Sequence, residues 1–134
     1  MNVVGALYIK DEELLLVKPS RRPTYQLIAG KVEKNESPLE AMIRESHEEL
    51  GVDVIFDESL FELVLEFDEI ASSDGFTPIH YYLFKYNGEL FGDMITSEEI
   101  ESFFWYDTSC ENIVLSNSLN HKIIPYCVNN KLIK

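Results

Sequence analysis

At 134 residues the chain can bury a sizeable core in one domain, 1–134, and its 46% hydrophobic and 12% aromatic content is that of a globular protein. A formal net charge of −13 opposes binding to a nucleic acid polymer through a broad basic surface, and opposes anionic membranes as well. A small polyphosphate remains compatible if metal ions and a few local bases offset the repulsion.

The first residues, MNVVGALYIKDEE, have no basic segment before their apolar run, and charged residues end that run after Ile9. They read as a strand, not as a leader, and no apolar run is long enough to span a bilayer. Cys110 and Cys127 lack metal-type spacing and are expected to be reduced thiols, so the expected compartment is cytoplasmic. Val3 to Ile9 and Leu14 to Lys18 are apolar runs separated by Lys10-Asp11-Glu12-Glu13, which predicts a hairpin. Residues 19 to 23 form a loop, and Tyr25 to Ala29 form a short strand leading to Gly30. Lys18, Arg21 and Arg22 are the densest positive cluster in this acidic chain. They are candidates to receive substrate phosphates, with solvated loop charges as the equal alternative.

A helix is predicted from Pro38 to Leu50. Ser37 is its N-cap, Pro38 suits the first helical position, Glu40 completes a capping box, and Gly51 suits the C-terminal cap. At about 100° per residue, Leu39, Met42, Ile43 and Leu50 form an apolar stripe that includes Ser46. Glu45, Glu48 and Glu49 form an adjoining arc, with small Ala41 between them leaving clearance for a metal. Glu40, Arg44 and His47 lie on the far side. Acidic groups near a helix C-terminus face the partial negative charge of its free carbonyls, and they also repel one another at i, i+4. A divalent cation would relieve both penalties, and a hard ion such as magnesium takes oxygen ligands of this kind.

Beyond the helix, Asp53 to Phe56 suggests a strand edge and Leu60 to Phe67 a strand. Ala71 to Gly75 is predicted as a turn. Ile79 to Tyr86 is a strand ending at Asn87-Gly88, a strong hairpin signal. Tyr81, Tyr82 and Phe84 are expected in the core or in cross-strand pairs. Ser97 to Glu101 is an acidic loop before an aromatic strand from Phe103 to Asp107. Leu119 to Val128 suggests a closing helix capped by Ser116, Asn117 or Ser118. Helix and strands therefore intermix around a mainly antiparallel or mixed sheet, an α/β (α+β) class.

The segment from Gly30 to Val52 reads G-x5-E-x7-R-E-x-x-E-E-x-G, with Gly30, Glu36, Arg44, Glu45, Glu48, Glu49 and Gly51 at the fixed places. It closely resembles the Nudix box of the Nudix hydrolases, G-x5-E-x7-R-E-U-x-E-E-x-G-U, where U is a bulky aliphatic residue. Val52 fits the last U. Ser46 departs from the first, and its hydroxyl is expected to bond back to the Met42 carbonyl and loosen the helix-to-sheet contact slightly. Ala29 stands where the family often has glycine.

The resemblance implies an α/β/α sandwich with a central mixed sheet, and magnesium-dependent cleavage (manganese as alternative) of a nucleoside diphosphate linked to another group. Carried over, Glu45, Glu48 and Glu49 are metal ligands, with Glu45 also a candidate base or base-orienting group. Arg44 and Glu36 hold the loop and the Glu45 carboxylate. The Ala29 carbonyl and Glu99, with Glu98 as second choice, are further candidates, set against an exposed acidic loop. Asn117 loosely matches an asparagine that contacts the base in some members, and helix capping is its other role. Phe67 stands where relatives hydrolysing ADP-ribose have proline, and Glu69-Ile70 where relatives hydrolysing dinucleoside polyphosphates have tyrosine. By elimination the expected substrate is a nucleoside triphosphate, cut as by MutT to monophosphate and pyrophosphate. A nucleotide sugar or a non-catalytic binding module is the alternative. Monomer and homodimer are both open.

Overall fold

The computed structural model describes residues 1–71 and 74–134. Its strands are β1 (Asn2–Leu7), β2 (Ile9–Lys10), β3 (Glu13–Pro19), β4 (Ile28–Lys31), β5 (Phe61–Ile70), β6 (Pro78–Tyr86) and β7 (Ile100–Tyr106), with helices α1 (Pro38–Leu50) and α2 (Ile124–Asn129). One sheet is mixed, in the order β4-β1-β6-β5, with β1 and β6 parallel and the other pairs antiparallel. The other is antiparallel, in the order β2-β3-β7.

The run expected as a single strand from Val3 to Ile9 is divided at Tyr8 between the two sheets. Both edges of β1 are occupied, by β4 and β6, so only Ile9 and Lys10 remain to make the hairpin with β3. That hairpin turns on Asp11 and Glu12, both at positive φ (52° and 62°), the hand that suits a two-residue turn between twisted strands. The same argument corrects the hairpin expected at Asn87-Gly88. β6 already lies between β1 and β5, so no free edge remains for a returning strand, and the chain runs without regular structure to β7. β5 and β6 pair through the connection expected as a turn at Ala71 to Gly75, part of which (Ser72 and Ser73) lies outside the described residues. Tyr25 and Gln26 make single bridges, β4 begins at Ile28, and the strand edge expected at Asp53 to Phe56 is the lone bridge of Ile55 with Phe91.

α1 carries the expected caps: the Ser37 hydroxyl accepts from the Glu40 N–H, and the Glu40 carboxylate accepts from the Ser37 N–H. Its Ala41, Met42 and Leu50 pack with Val4, Ala6, Leu15, Val17 and Ile28. On the opposite side, Leu119, Ile123 and Cys127 pack with Leu7, Leu14, Leu16, Leu27 and Tyr81. Alternate residues of β3 thus face opposite cores, and the sheets lie between two helical layers, the α/β/α arrangement. Fully burying each such Leu or Met contributes about 1.5–3 kcal/mol before entropy. The closing helix is already helical at Asn117 and Ser118, without the expected side-chain cap bond from Ser118, and continues through a π-turn, Leu119–Ile123, in which the Ile124 N–H donates to the Leu119 carbonyl. One residue later comes Pro125, which has no N–H to donate and crowds the preceding turn. No helix among the described residues is long and apolar enough to cross a membrane.

Candidate active site

The site is built on the free edge of β4. The Val32 N–H donates to the Asn2 carbonyl at 2.9 Å, so with the β1–β4 register the pair Val4–Gly30 is hydrogen-bonded, whereas Ala29 and Lys31 sit in non-hydrogen-bonded pairs. Their N–H and C=O groups therefore face away from β1, toward α1. The Ala29 N–H donates to Glu49 Oε2 at 2.9 Å, and the Lys31 carbonyl accepts from Arg44 Nη2 at 2.9 Å. The Ala29 carbonyl faces the same way as its N–H. Gly30 lies under Glu45, where a Cβ would fall 2.0–2.4 Å from the carboxylate atoms. Only glycine lets that carboxylate lie on the strand.

Arg44 organises the acids. Its Nε and Nη2 hold Glu36 in a two-point fork at 2.8 and 2.9 Å, and Nη1 donates to Glu45 Oε1 at 2.9 Å and to Glu48 at 3.3 Å. It therefore folds back over the acidic arc instead of occupying the far side of the helix. Glu36 also accepts from the Glu33 N–H, and these bonds, led by Arg44, hold its carboxyl down to about 2. Glu45 behaves oppositely: burial raises its pKa despite Arg44, and the charge of Glu48 adds to the rise. Burial pushes Glu49 well above the usual carboxylate range, with the Ala29 N–H opposing and Glu45, Glu48 and Glu99 adding repulsion. Glu48 remains exposed.

Two expectations about α1 are corrected. Ala41 is fully buried in the core, so it provides no clearance for a metal. Ser46 is also fully buried, and its hydroxyl meets the Tyr8 hydroxyl at 2.6 Å in place of the expected bond back to the Met42 carbonyl. The contact expected to be loosened is tied by a buried hydrogen bond. A polar residue inside an apolar stripe was the only local sign of this partner.

A cavity of about 320 Å³ opens beside the β4 edge, between Ala29, Gly30, Arg22, Glu69, Tyr81 and Ser118 among others. A second, of about 330 Å³, lies between Pro19, Arg21, Arg22, Glu98 and Glu99. Arg22 thus borders both, and Arg21 and Glu99 only the second. Lys18 is instead paired with Glu101 across β3 and β7. Asn117 is exposed and lines neither cavity, whereas its neighbours Ser116 and Ser118 line the first. Glu69 and Tyr81 carried no local signal of a place beside the site, because the cavity is closed by strands and a helix distant in sequence.

The donor set suits a hard divalent ion, since all candidates are oxygen ligands and the half-buried Glu49 carboxylate has only a neutral N–H to offset its charge. Among the described residues no three His, Cys, Asp or Glu side chains converge at metal-binding distance. Glu45 and Glu48 are drawn to Arg44, whose charge stands beside them.

A family model described as NUDIX domain matches residues 1–113. The chain belongs to the Nudix family. An RNA pyrophosphohydrolase from a Nitratiruptor species is 34% identical over 88 residues, covering 65% of this chain and 53% of that protein, so the match spans about half of that relative's length. The MutT NUDIX hydrolase from Burkholderia pseudomallei has a similar structure, with a TM-score of 0.73 at 22% identity over 89% of this chain and 92% of that one. A mutator MutT protein from Bacillus halodurans gives 0.61 at 26% identity, over 78% and 66%. The Nudix box thus occupies the β4 edge and α1, with its fixed Gly30, Glu36, Arg44 and Glu45 in direct contact or joined through Arg44.

Proposed function

We propose that this Nudix chain is a single-domain, divalent-metal-dependent pyrophosphohydrolase of nucleoside diphosphate-linked compounds, with nucleoside triphosphates as its substrates, cut to monophosphate and pyrophosphate. The observation that carries this is the half-buried carboxylate of Glu49, held on the β4 edge by the Ala29 N–H at 2.9 Å, beside Glu45 and a cavity bordered by Arg22. Glu45, Glu48 and Glu49, with the Ala29 carbonyl and Glu99, would hold magnesium or manganese. Such an ion, when bound, neutralises phosphate charge and makes water more acidic.

The chain's own groups do the rest. Arg44 is locked to Glu36 and Lys31, so it keeps the Glu45 carboxylate over Gly30, ready to accept a proton from the attacking water. Water adds to one phosphorus of the anhydride as the P–O bond to the leaving phosphate breaks. Arg22, and Arg21 beside it, take the negative charge of the phosphates. Lys18, held by Glu101, and Asn117, turned outward, are less suited to substrate contact.

A second substrate is favoured by the relative described as an RNA pyrophosphohydrolase: the triphosphate end of an RNA, which contains the same anhydride. The net charge of −13 disfavours extended contact with such a polymer. The test is a panel of nucleoside triphosphates, nucleotide sugars and a 5′-triphosphate RNA oligonucleotide, with Mg²⁺ or Mn²⁺, reading pyrophosphate and monophosphate. Triphosphates are expected to yield pyrophosphate, and Glu48→Gln to lower turnover by roughly tenfold or more. Binding without cleavage of any member under either metal overturns the hydrolase and favours a binding module.

A further inference from the structure

The 320 Å³ cavity contains two polar side chains that the hydrolytic chemistry does not use, Glu69 and Tyr81. They share one face of the mixed sheet, because Phe67 pairs with Tyr81 and Glu69 with Ile79 in the β5–β6 register. Tyr81 is only 4% exposed and stacks on Phe67 with ring centres 4.8 Å apart and planes 9° from parallel. Its ring crosses β1 above Gly5, where a Cβ would fall 2.2 Å from the phenol oxygen. A residue without a side chain at position 5 is what allows that oxygen to reach the β4 side. Tyr81 lines the cavity and its phenol makes no hydrogen bond among the described residues, so the hydroxyl is available to a polar group placed there.

Glu69 is held differently. The Ser118 hydroxyl donates to its Oε1 at 2.6 Å, fixing the carboxylate and leaving Oε2 and the second lone pair of Oε1 to accept. Val3, Leu27, Ile79 and Ile123 supply apolar walls. The opposite end is Ala29 and Gly30, the strand edge on which Glu49 and Glu45 rest. A flat apolar ring attached to phosphates would therefore have its polar edge at Glu69 and Tyr81 and its phosphates at the carboxylates and Arg22.

We propose that this cavity is a nucleobase pocket in which Glu69, held by Ser118, selects guanine, an inference that rests on the nucleotide-hydrolysing function above. A planar carboxylate accepts two parallel N–H bonds, and guanine has two such donors side by side, N1–H and the N2 amine. Its O6 follows next along the edge, an acceptor for the Tyr81 hydroxyl. Adenine would place its unprotonated N1 against the carboxylate, uracil flanks one N–H with two carbonyls, and hypoxanthine lacks the second donor. Each mismatch leaves a desolvated acceptor unpaired, the kind of penalty that separates substrates most strongly.

The experiment compares GTP, ITP, ATP and UTP as substrates of the unaltered chain, of Glu69→Gln and of Tyr81→Phe. Calorimetric binding of GMP and IMP is measured alongside, with thermal melts as a check on folding. GTP is expected to exceed ITP by roughly tenfold or more in kcat/KM, through KM rather than kcat, and GMP to bind correspondingly tighter than IMP. Glu69→Gln should bring GTP and ITP within about threefold of each other, by raising KM for GTP more than for ITP. Equal use of GTP and ITP, or a preference for ATP or UTP, overturns the guanine assignment and leaves the hydrolase standing. GMP binding that exceeds IMP and is lost in Glu69→Gln, with no triphosphate cut, keeps the pocket and removes the hydrolase. An unaltered chain that neither binds GMP nor cuts any of the four triphosphates overturns both. The GMP–IMP comparison needs no variant, so a Glu69→Gln chain that fails to fold does not protect the proposal.

Discussion

The buried bond between Tyr8 and Ser46 joins α1 to the segment that crosses between the two sheets, and a double-mutant cycle measures its strength. Tyr8 is 2% exposed and Ser46 0%, with their oxygens 2.6 Å apart, and burial raises the phenol's pKa so that it stays protonated. Ser46→Ala leaves the phenol without its partner, a loss of about 1–3 kcal/mol. Tyr8→Phe should cost less, about 0.5–1.5 kcal/mol, because a helical serine can donate to the carbonyl four residues back. The double variant should lie near Tyr8→Phe alone, which makes the coupling favourable by the full Ser46→Ala cost, about 1–3 kcal/mol. Urea unfolding of all four proteins with a common slope supplies the free energies. In heat, each kcal/mol corresponds to roughly 3–6 °C at this chain length. Strictly additive single effects, with coupling under about 0.3 kcal/mol, would refute the bond as the element that ties α1 down.

Glu49→Gln tests the half-buried carboxylate. The Glu49 pKa is raised on folding, so at acid pH both states carry the proton, and as pH rises the unfolded chain releases it first. Metal-free stability should therefore fall from the ordinary carboxylate range upward. The glutamine variant, which can still accept the Ala29 N–H, should melt higher than its parent at pH 7 and alike at pH 4. Equal or lower melting at pH 7 in chelator would be the contrary result. Gly30→Ala should displace the Glu45 carboxylate, since the new Cβ would fall 2.0 Å from its carboxyl carbon. A fall of roughly a hundredfold in kcat with a small thermal shift is expected, and unchanged kcat would show that the carboxylate's position does not matter.

Much of the site was legible in the sequence because it is written over short distances. Ser37, Pro38, Glu40 and Gly51 set the ends of α1 through contacts within one turn, and the 3.6-residue period alone places Glu45, Glu48 and Glu49 on neighbouring positions. What α1 faces is not a local property. Arg44 lies over the acids because Glu36 and the Lys31 carbonyl draw it there, and Ser46 is satisfied by a tyrosine 38 residues away.

The tertiary structure alone decided the strand pairing. β1 and β6 each have two edges, and once β4, β5 and one another fill them, neither can make the hairpin that its own residues favour. The same long-range closure brought Glu69, Tyr81 and Ser118 to one cavity and turned Asn117 outward. Sequence by itself determined the helix, its caps and the order of its carboxylates, since these depend on bonds spanning a few residues. Which backbone edge remained free to meet them depended on how all the strands shared a limited number of hydrogen-bonding edges.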